Sequence, residues 1–454
     1  MEARASDANI FEPGLLSLLP HLVSVDTSSL EPLLFTSTNR TRRKIAFCIP
    51  VVERKTSYVL QTLHSLFENL EEQFKPDVVF IVVFAYANVT VESFGDLIEL
   101  MKANFTPEIQ TGLLEIAAIP NTWYSLDLDA IQPTFNDSAE RMRWRTKQNL
   151  DYIYIMNYGR KRAEYYMHLE DDITATARYG RIIFDYLELK RGRPWFSMFF
   201  STLGLIGKLW RSEDVRYITY AIALYYKFKP VDWIFYDVEY SRFCSVEQNK
   251  TDCTAAREAS RVIIAPPLFQ HNGRVSSLQG KSQKLKERYF EKHHFKSNRG
   301  NPKARITTSM KHYLRHSASA GYCNNGFMWF VDVLPGSYLK IEFLHPTKIL
   351  GILIISGVAK APLDQFGPET VVFVGYPDGE FRELGSFSEE GDFLARLDGR
   401  EVSTLELRVT ERKERWVIVG YFVIDFLTDR KPPPPPRPEI RRTKREFLSF
   451  VKWF

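Results

Sequence analysis

KIAFCIPVVERKTSYVLQTLHSLFENLEEQFKPDVVFIVVFAY, residues 44 to 86, decides the fold class. Its ends, KIAFCIPVV (44–52) and PDVVFIVVFAY (76–86), are unbroken apolar runs, the pattern of strands covered on both faces of a sheet. Between them SYVLQTLHSLFENL (57–70) repeats apolar residues at helical spacing, so the stretch reads as a β-α-β unit. The alternation continues to about residue 290. GLLEIAAI (112–119) predicts a strand, ERMRWRTKQNLDYIYIMNYG (140–159) a long helix, and EYYMHL (164–169) another strand. The expected fold of this half is α/β with a parallel sheet.

After residue 305 the texture changes. YLKIEFL, ILGILIIS, TVVFVGYP, TLELRVT and WVIVGYFVIDF are short strand patterns separated by turn-rich pieces such as LPGS and GYPDG, with no convincing helix. Regular short strands predict a β-sandwich. The expected organisation is an N-terminal extension (1–43), an α/β domain (44–304), an all-β sandwich (305–428) and a proline-rich basic tail (429–454) too polar to fold. A net charge of +5 spread over 454 residues supports no nucleic-acid partner. The first residues lack a hydrophobic signal core, and KILGILIISGVA (348–359) is too short to span a bilayer, so no transmembrane segment is expected.

Other features fit a secretory chain. Asn-x-Ser/Thr sequons stand at Asn39, Asn88, Asn104, Asn136 and Asn249, of which Asn104 is a poor acceptor because Pro107 follows its threonine. Cys244 and Cys253 bracket a polar loop and are expected to form a disulfide. Cys48 and Cys323 read as small buried hydrophobes, and the absence of a C-x-x-C pair argues against zinc.

The chemistry concentrates in HLEDDI (168–173), three acids directly behind a strand. In open α/β sheets, ligands bind at the carboxyl ends of strands, and hard carboxylates there suit Mg²⁺ or Mn²⁺. The same acids would also serve as a solvated helix start. Asp127-Leu-Asp129 has a similar spelling without a strand behind it, and reads as a turn.

ERMRWRTKQNLDY (140–152), HLEDDI, FSTLGLIGKLW (200–210), KPVDW (229–233) and APPLFQHNGRVSSLQGK (265–281), in this order, resemble the N-acetylglucosaminyltransferase IV family over roughly residues 44 to 428. The resemblance implies a GT-A fold followed by a discoidin-like sandwich, UDP-GlcNAc as donor, a divalent metal such as Mn²⁺, an N-glycan acceptor on glycoproteins and a Golgi setting. Relatives carry an N-terminal anchor that is not visible here. It further implies that Glu170, Asp172 and His271 hold the metal. Pro50, Val51, Val52, Glu53, Asp171, Arg145, Lys147, Asn149, Arg274 and Lys281 would bind the donor, and Asp232, with Asp237 as runner-up, would act as base. Bland readings stand beside these: plain core at 50–53, a solvated helix face for Arg145, a structural turn for His271, an N-cap for Asp232. Exposed Trp or Tyr of the sandwich would dock a sugar, unless Trp329 and Trp416 are core. The alternatives are an inactive transferase-like lectin or regulator, or a metal-dependent phosphoesterase.

Overall fold

Strands Arg43–Val51 and Val78–Phe84 run parallel, from Ile45 beside Val78 to Val51 beside Phe84, and helix Val59–Glu68 makes the crossover. This computed structural model describes residues 10–36, 41–54, 56–86, 91–274, 285–287, 290, 300–323, 326–358 and 360–427. The unbroken apolar run has a direct cause. Ile45, Phe47, Ile49 and Val51 face one core, while Ala46 and Cys48 face another. With both faces covered, the period-two alternation of a half-buried strand has nothing to select it. Part of the second cover comes from the first thirty residues: Phe11 stacks on Trp123 at 4.8 Å, and the Asn157 amide donates to the Ile10 carbonyl at 2.6 Å.

The sheet has eight strands in the order Leu33–Leu34, Leu114–Ala118, Val78–Phe84, Arg43–Val51, Ala163–His168, Lys208–Arg211, Ser197–Phe199 and Arg261–Ile263. Leu114–Ala118 through Ala163–His168 are mutually parallel. Lys208–Arg211 is antiparallel to both neighbours, so the sheet is mixed and not the parallel one expected. The eight residues linking Ser197–Phe199 to Lys208–Arg211 are too few for a parallel crossover. From Arg43–Val51 the chain winds outward through two strands, then returns to its other side with Ala163–His168. That reversal opens a crevice at the carboxyl ends of these two neighbours.

The second half is an antiparallel sandwich. YLKIEFL and ILGILIIS, expected as two strands, form one strand, Tyr338–Ser356. Its register shifts between Glu342 and Thr347, and the strand bends there. Its first half pairs with Ala304–Thr308 and Glu401–Val409, its second with Asp392–Arg396 and Val417–Phe426. Strand Asp392–Arg396 and the one-turn helix Ala318–Tyr322 escape the sequence patterns.

The halves share a core. Leu353, Ile355 and Tyr421 of the sandwich belong to the same apolar cluster as Ile182 and Leu189 of helix Tyr179–Leu189. Around it Arg181 pairs with Asp392, and Lys190 Nζ meets Asp425 Oδ1 at 2.7 Å. Cys244 and Cys253 form the expected disulfide, their Cα atoms 5.0 Å apart. Cys48 is buried as expected. Cys323 is exposed, contrary to expectation, because it sits as the C-cap of the short helix Ala318–Tyr322.

Candidate active site

Strand Ala163–His168 delivers the acids to the crevice. The loop behind it is held from below. Thr62 Oγ1 donates to the Asp171 carbonyl at 2.8 Å and accepts from the Ile173 amide at 3.0 Å. Strand Ile173–Ala175 then pairs antiparallel with Phe269–His271, which sets His271 opposite Ile173. The Asn272 amide donates to the Asp172 carbonyl at 2.8 Å, closing the corner. A histidine remote in sequence thereby joins the acids: ligand atoms of Glu170, Asp172 and His271 lie within 4.8 Å of one another. Gly273 follows, and a Cβ there would overlap Asp172 Oδ2, so only glycine lets the backbone come this close.

Two carboxylates and an imidazole suit Mn²⁺ or Mg²⁺. The local chemistry fits such an ion. Asp172 Oδ1 and His271 Nδ1 are buried without a hydrogen-bond partner among the described residues. Burial pushes the half-buried Glu170 carboxyl up to about 8; Asp172 and Asp232 add to the push, while Arg54 and Lys208 oppose it. A cation held here would relieve that excess of negative potential.

One positive charge is already in contact with the acids. Arg54, just past the opening strand, pairs with Asp171 and places Nη1 2.9 Å from Asp172 Oδ2. Its guanidinium carbon lies 5.4 Å from the Tyr58 ring centre, and the Arg274 amide donates to the Tyr58 hydroxyl at 3.4 Å. Pro50, Val51, Val52 and Glu53 lead directly into this rim, with Val51 buried and Glu53 exposed.

Asp232 lies in the first turn of helix Val231–Phe243, whose N-cap is Pro230, so Asp232 is not the cap. Its outer edge is open to solvent, while crowding on its inner side raises the carboxyl above the ordinary range, with Lys208 opposing. Asp237, on the same helix, is held by Lys229 at 2.6 Å. Lys208 sits opposite His168 in the sheet, and burial brings its ammonium down to about 7. It donates to the Ser201 carbonyl. Glu287 accepts from the Thr202 amide at 2.8 Å and from Ser201 Oγ at 3.0 Å, steadying the loop that passes Glu170. Arg54, Lys208 and Glu287 were not anticipated. The usable signal was a lysine inside the apolar GLIGKLW.

Three expected donor residues have partners within the protein. Arg145 pairs with Asp137 at 2.9 Å and donates to the Phe228 carbonyl at 3.1 Å. Asn149 donates to the Tyr226 and Lys229 carbonyls, both at 2.8 Å. Lys147 is held by Asp151 at 2.9 Å and by the Ala85 carbonyl. Arg145 and Asn149 fix the loop that leads into Asp232. Lys281, Asn39 and Asn88 lie outside the described residues, as does the tail from residue 428. Asn136 and Asn249 are exposed, Asn249 capping helix Lys250–Ser260 through the Asp252 amide at 2.9 Å. Asp127 accepts from the Asp129 amide at 3.0 Å, the turn read from its sequence. In the sandwich Trp416 is exposed and Trp329 half-buried, their rings 5.4 Å apart and both beside Tyr313.

Two family profiles match the chain: the MGAT4 conserved region over residues 12–290 and the MGAT4 C-terminal domain over residues 304–420. The alpha-1,3-mannosyl-glycoprotein 4-beta-N-acetylglucosaminyltransferase A of Xenopus tropicalis is 34% identical over 428 residues, covering 90% of this chain and 78% of that one. The Bos taurus protein of the same name is 35% identical over 436 residues, covering 92% and 80%. Among solved structures, the family 32 CBM from C. perfringens NanJ in complex with galactose aligns with 26% of this chain and 92% of its own, at 9% identity and a TM-score of 0.22. No helix among the described residues is long and apolar enough to cross a membrane.

Proposed function

The chain belongs to the MGAT4 family, and from that premise we propose that it transfers N-acetylglucosamine from UDP-GlcNAc in β1,4 linkage to the α1,3-linked mannose arm of glycoprotein N-glycans, with inversion, on a GT-A-type domain. The observation that carries this is the convergence of Glu170, Asp172 and His271 at the crevice between the two central strands. A divalent ion held by these three, for which we favour Mn²⁺, would neutralise the diphosphate of the departing UDP.

The protein's own groups do the rest. Asp232, on the crevice-side turn of its helix, removes the proton of the acceptor hydroxyl as that oxygen attacks the anomeric carbon and UDP leaves from the opposite face. Burial raises its carboxyl above the ordinary range, with Lys208 opposing, which makes it a stronger base than a solvated aspartate. Asp237, already neutralised by Lys229, is the second choice. Arg54 keeps Asp171 and Asp172 oriented, and the turn from Pro50 to Glu53 with Arg274 forms the rim on which the nucleotide would rest. The sandwich, by the same reading, is a discoidin-like carbohydrate-binding module that presents the rings of Tyr313, Trp329 and Trp416. The disulfide and the exposed sequons at Asn136 and Asn249 support a site of action in the secretory pathway, in the Golgi lumen.

The test is Asp172→Asn, assayed for GlcNAc transfer from UDP-GlcNAc to an N-glycan while Mn²⁺ is varied. Loss of the carboxylate is expected to lower turnover by at least a hundredfold, roughly 2.7 kcal/mol, and to weaken Mn²⁺ binding measured by calorimetry. Wild-type turnover in the variant rejects the assignment. Glycan binding without turnover in the wild type favours the inactive-lectin reading.

A further inference from the structure

Helix Val231–Phe243 breaks the usual division between an apolar inner face and a polar outer one. Its inner face is in order: Val231 and Ile234 are buried, and Phe235 and Val238 pack on the same core. The outer face carries rings. Trp233 is 50%, Tyr236 52% and Tyr240 42% exposed, and Phe135 from the neighbouring loop is 55% exposed. Spaced three and four residues apart, the three helix rings form one stripe, and Tyr236 is also one turn from Asp232. The stripe therefore begins beside the base and runs away from it along the helix.

The rings are mounted in fixed attitudes. Phe135 meets Trp233 edge-on with centres 5.0 Å apart. Tyr236 and Tyr240 are 6.5 Å apart with planes only 17° from parallel. Beneath Tyr236 lies the guanidinium of Arg257, 3.8 Å from the ring centre and itself buried. Arg257 is held by the buried Glu239 at 3.1 Å, and Arg261 Nε grips the same carboxylate at 2.8 Å. One face of Tyr236 thus rests on a paired arginine while the ring remains 52% exposed. The Cys244–Cys253 disulfide ties the end of this helix to the helix that supplies Arg257.

We propose that Trp233, Tyr236 and Tyr240, with Phe135, form a stacking subsite for the acceptor oligosaccharide beyond the reacting mannose. The inference rests on the transferase reading, which puts the acceptor hydroxyl at Asp232. The occupant is argued from chemistry. Flat rings bearing hydroxyl and indole N–H tips match sugar rings, which present C–H faces with polar edges. The flanking Lys229–Asp237 pair supplies hydrogen-bonding groups at the margin.

The test compares the full chain with Tyr236→Ala/Tyr240→Ala and with Tyr236→Phe/Tyr240→Phe. Acceptors are a complete branched N-glycan and a short mannoside that reaches only the base. Loss of two stacking contacts is expected to raise KM for the branched glycan about tenfold, with donor KM and short-mannoside KM unchanged and the Phe pair near wild type. Equal weakening of both acceptors, an unchanged KM for the branched glycan, or a dimer in sedimentation that the alanine pair dissolves overturns the proposal. Glycan titration by calorimetry, without donor, reads the subsite independently of catalysis. Binding that weakens in the alanine pair while no variant transfers GlcNAc rejects the transferase reading and keeps the subsite; binding equal in both proteins rejects the subsite.

Discussion

Gly273 shows how little room surrounds the acids. A methyl group there would overlap Asp172 Oδ2, and the carboxylate would have to turn away from Glu170 and His271. Gly273→Ala is therefore expected to raise the Mn²⁺ concentration for half-maximal activity at least tenfold, with the melting temperature within a few degrees of wild type, since the substitution lies at the crevice and not in a core. Metal titration of activity beside a melting curve decides it; an unchanged Mn²⁺ requirement overturns it. At this scale the sequence was informative where the cost was local. Three acids behind an apolar strand are expensive wherever they fold, so Glu170, Asp171 and Asp172 declared themselves. Arg54 did not, because its partner Asp172 is 118 positions away and nothing in VERK distinguishes it from a surface arginine. His271 came from resemblance, since no spacing rule links it to residue 172. Arg145 and Asn149, expected on the donor, donate to the backbone carbonyls of residues 226 to 229, partners that no spacing in the sequence announces.

Helix Val231–Phe243 depends on the element that follows it. Its C-cap is Cys244, bonded to Cys253 on helix Lys250–Ser260, and Glu239 is clasped by two arginines from the far side of that closed loop. Cys244→Ser should cost about 2 to 4 kcal/mol, the usual range for opening a short bridged loop. The loss is expected to appear first as faster amide exchange across residues 231–260, while strands Arg43–Val51 and Val78–Phe84 keep their protection. Uniformly faster exchange, or none, counts against this local role. Elements were legible where one pattern ran uninterrupted, as in the β-α-β unit. The mixed direction of the sheet was not, because strand polarity is set by the length of a connection and not by the strand's own residues. The Tyr338–Ser356 strand was read as two because its bend at HPTK, residues 345 to 348, looks like a turn when the partners on each side are unknown.

Across the whole molecule, paired buried charges gather at the junction between the halves. Arg181 and Asp392 are both buried there, so Arg181→Ala leaves the carboxylate with only Arg178, at 3.7 Å, and should cost up to about 3 kcal/mol. Arg181→Met/Asp392→Leu removes both charges and should cost less than the single change; urea titrations of the two variants check this, and the reverse ranking refutes it. Asp185 adds a pH dependence. Burial and the neighbouring Asp392 push its carboxyl to about 7, with Arg181 opposing and Glu71 adding. The folded form therefore holds a proton that the unfolded chain releases above its ordinary carboxylate range, so this group's contribution to stability falls as pH rises toward 7. Melting temperature should drop more steeply between pH 5 and 7 in the wild type than in Asp185→Asn, and parallel curves would rule this out. The shared core also bears on recombination. Leu353, Ile355 and Tyr421 complete a surface on helix Tyr179–Leu189 that water would otherwise wet, and Asp392 and Asp425 answer cations on the same side. A hybrid spliced near residue 303 with a sandwich from a distant source would meet that helix with unmatched shape and charge. Recombination should give a folded protein only where both sides of the seam travel together.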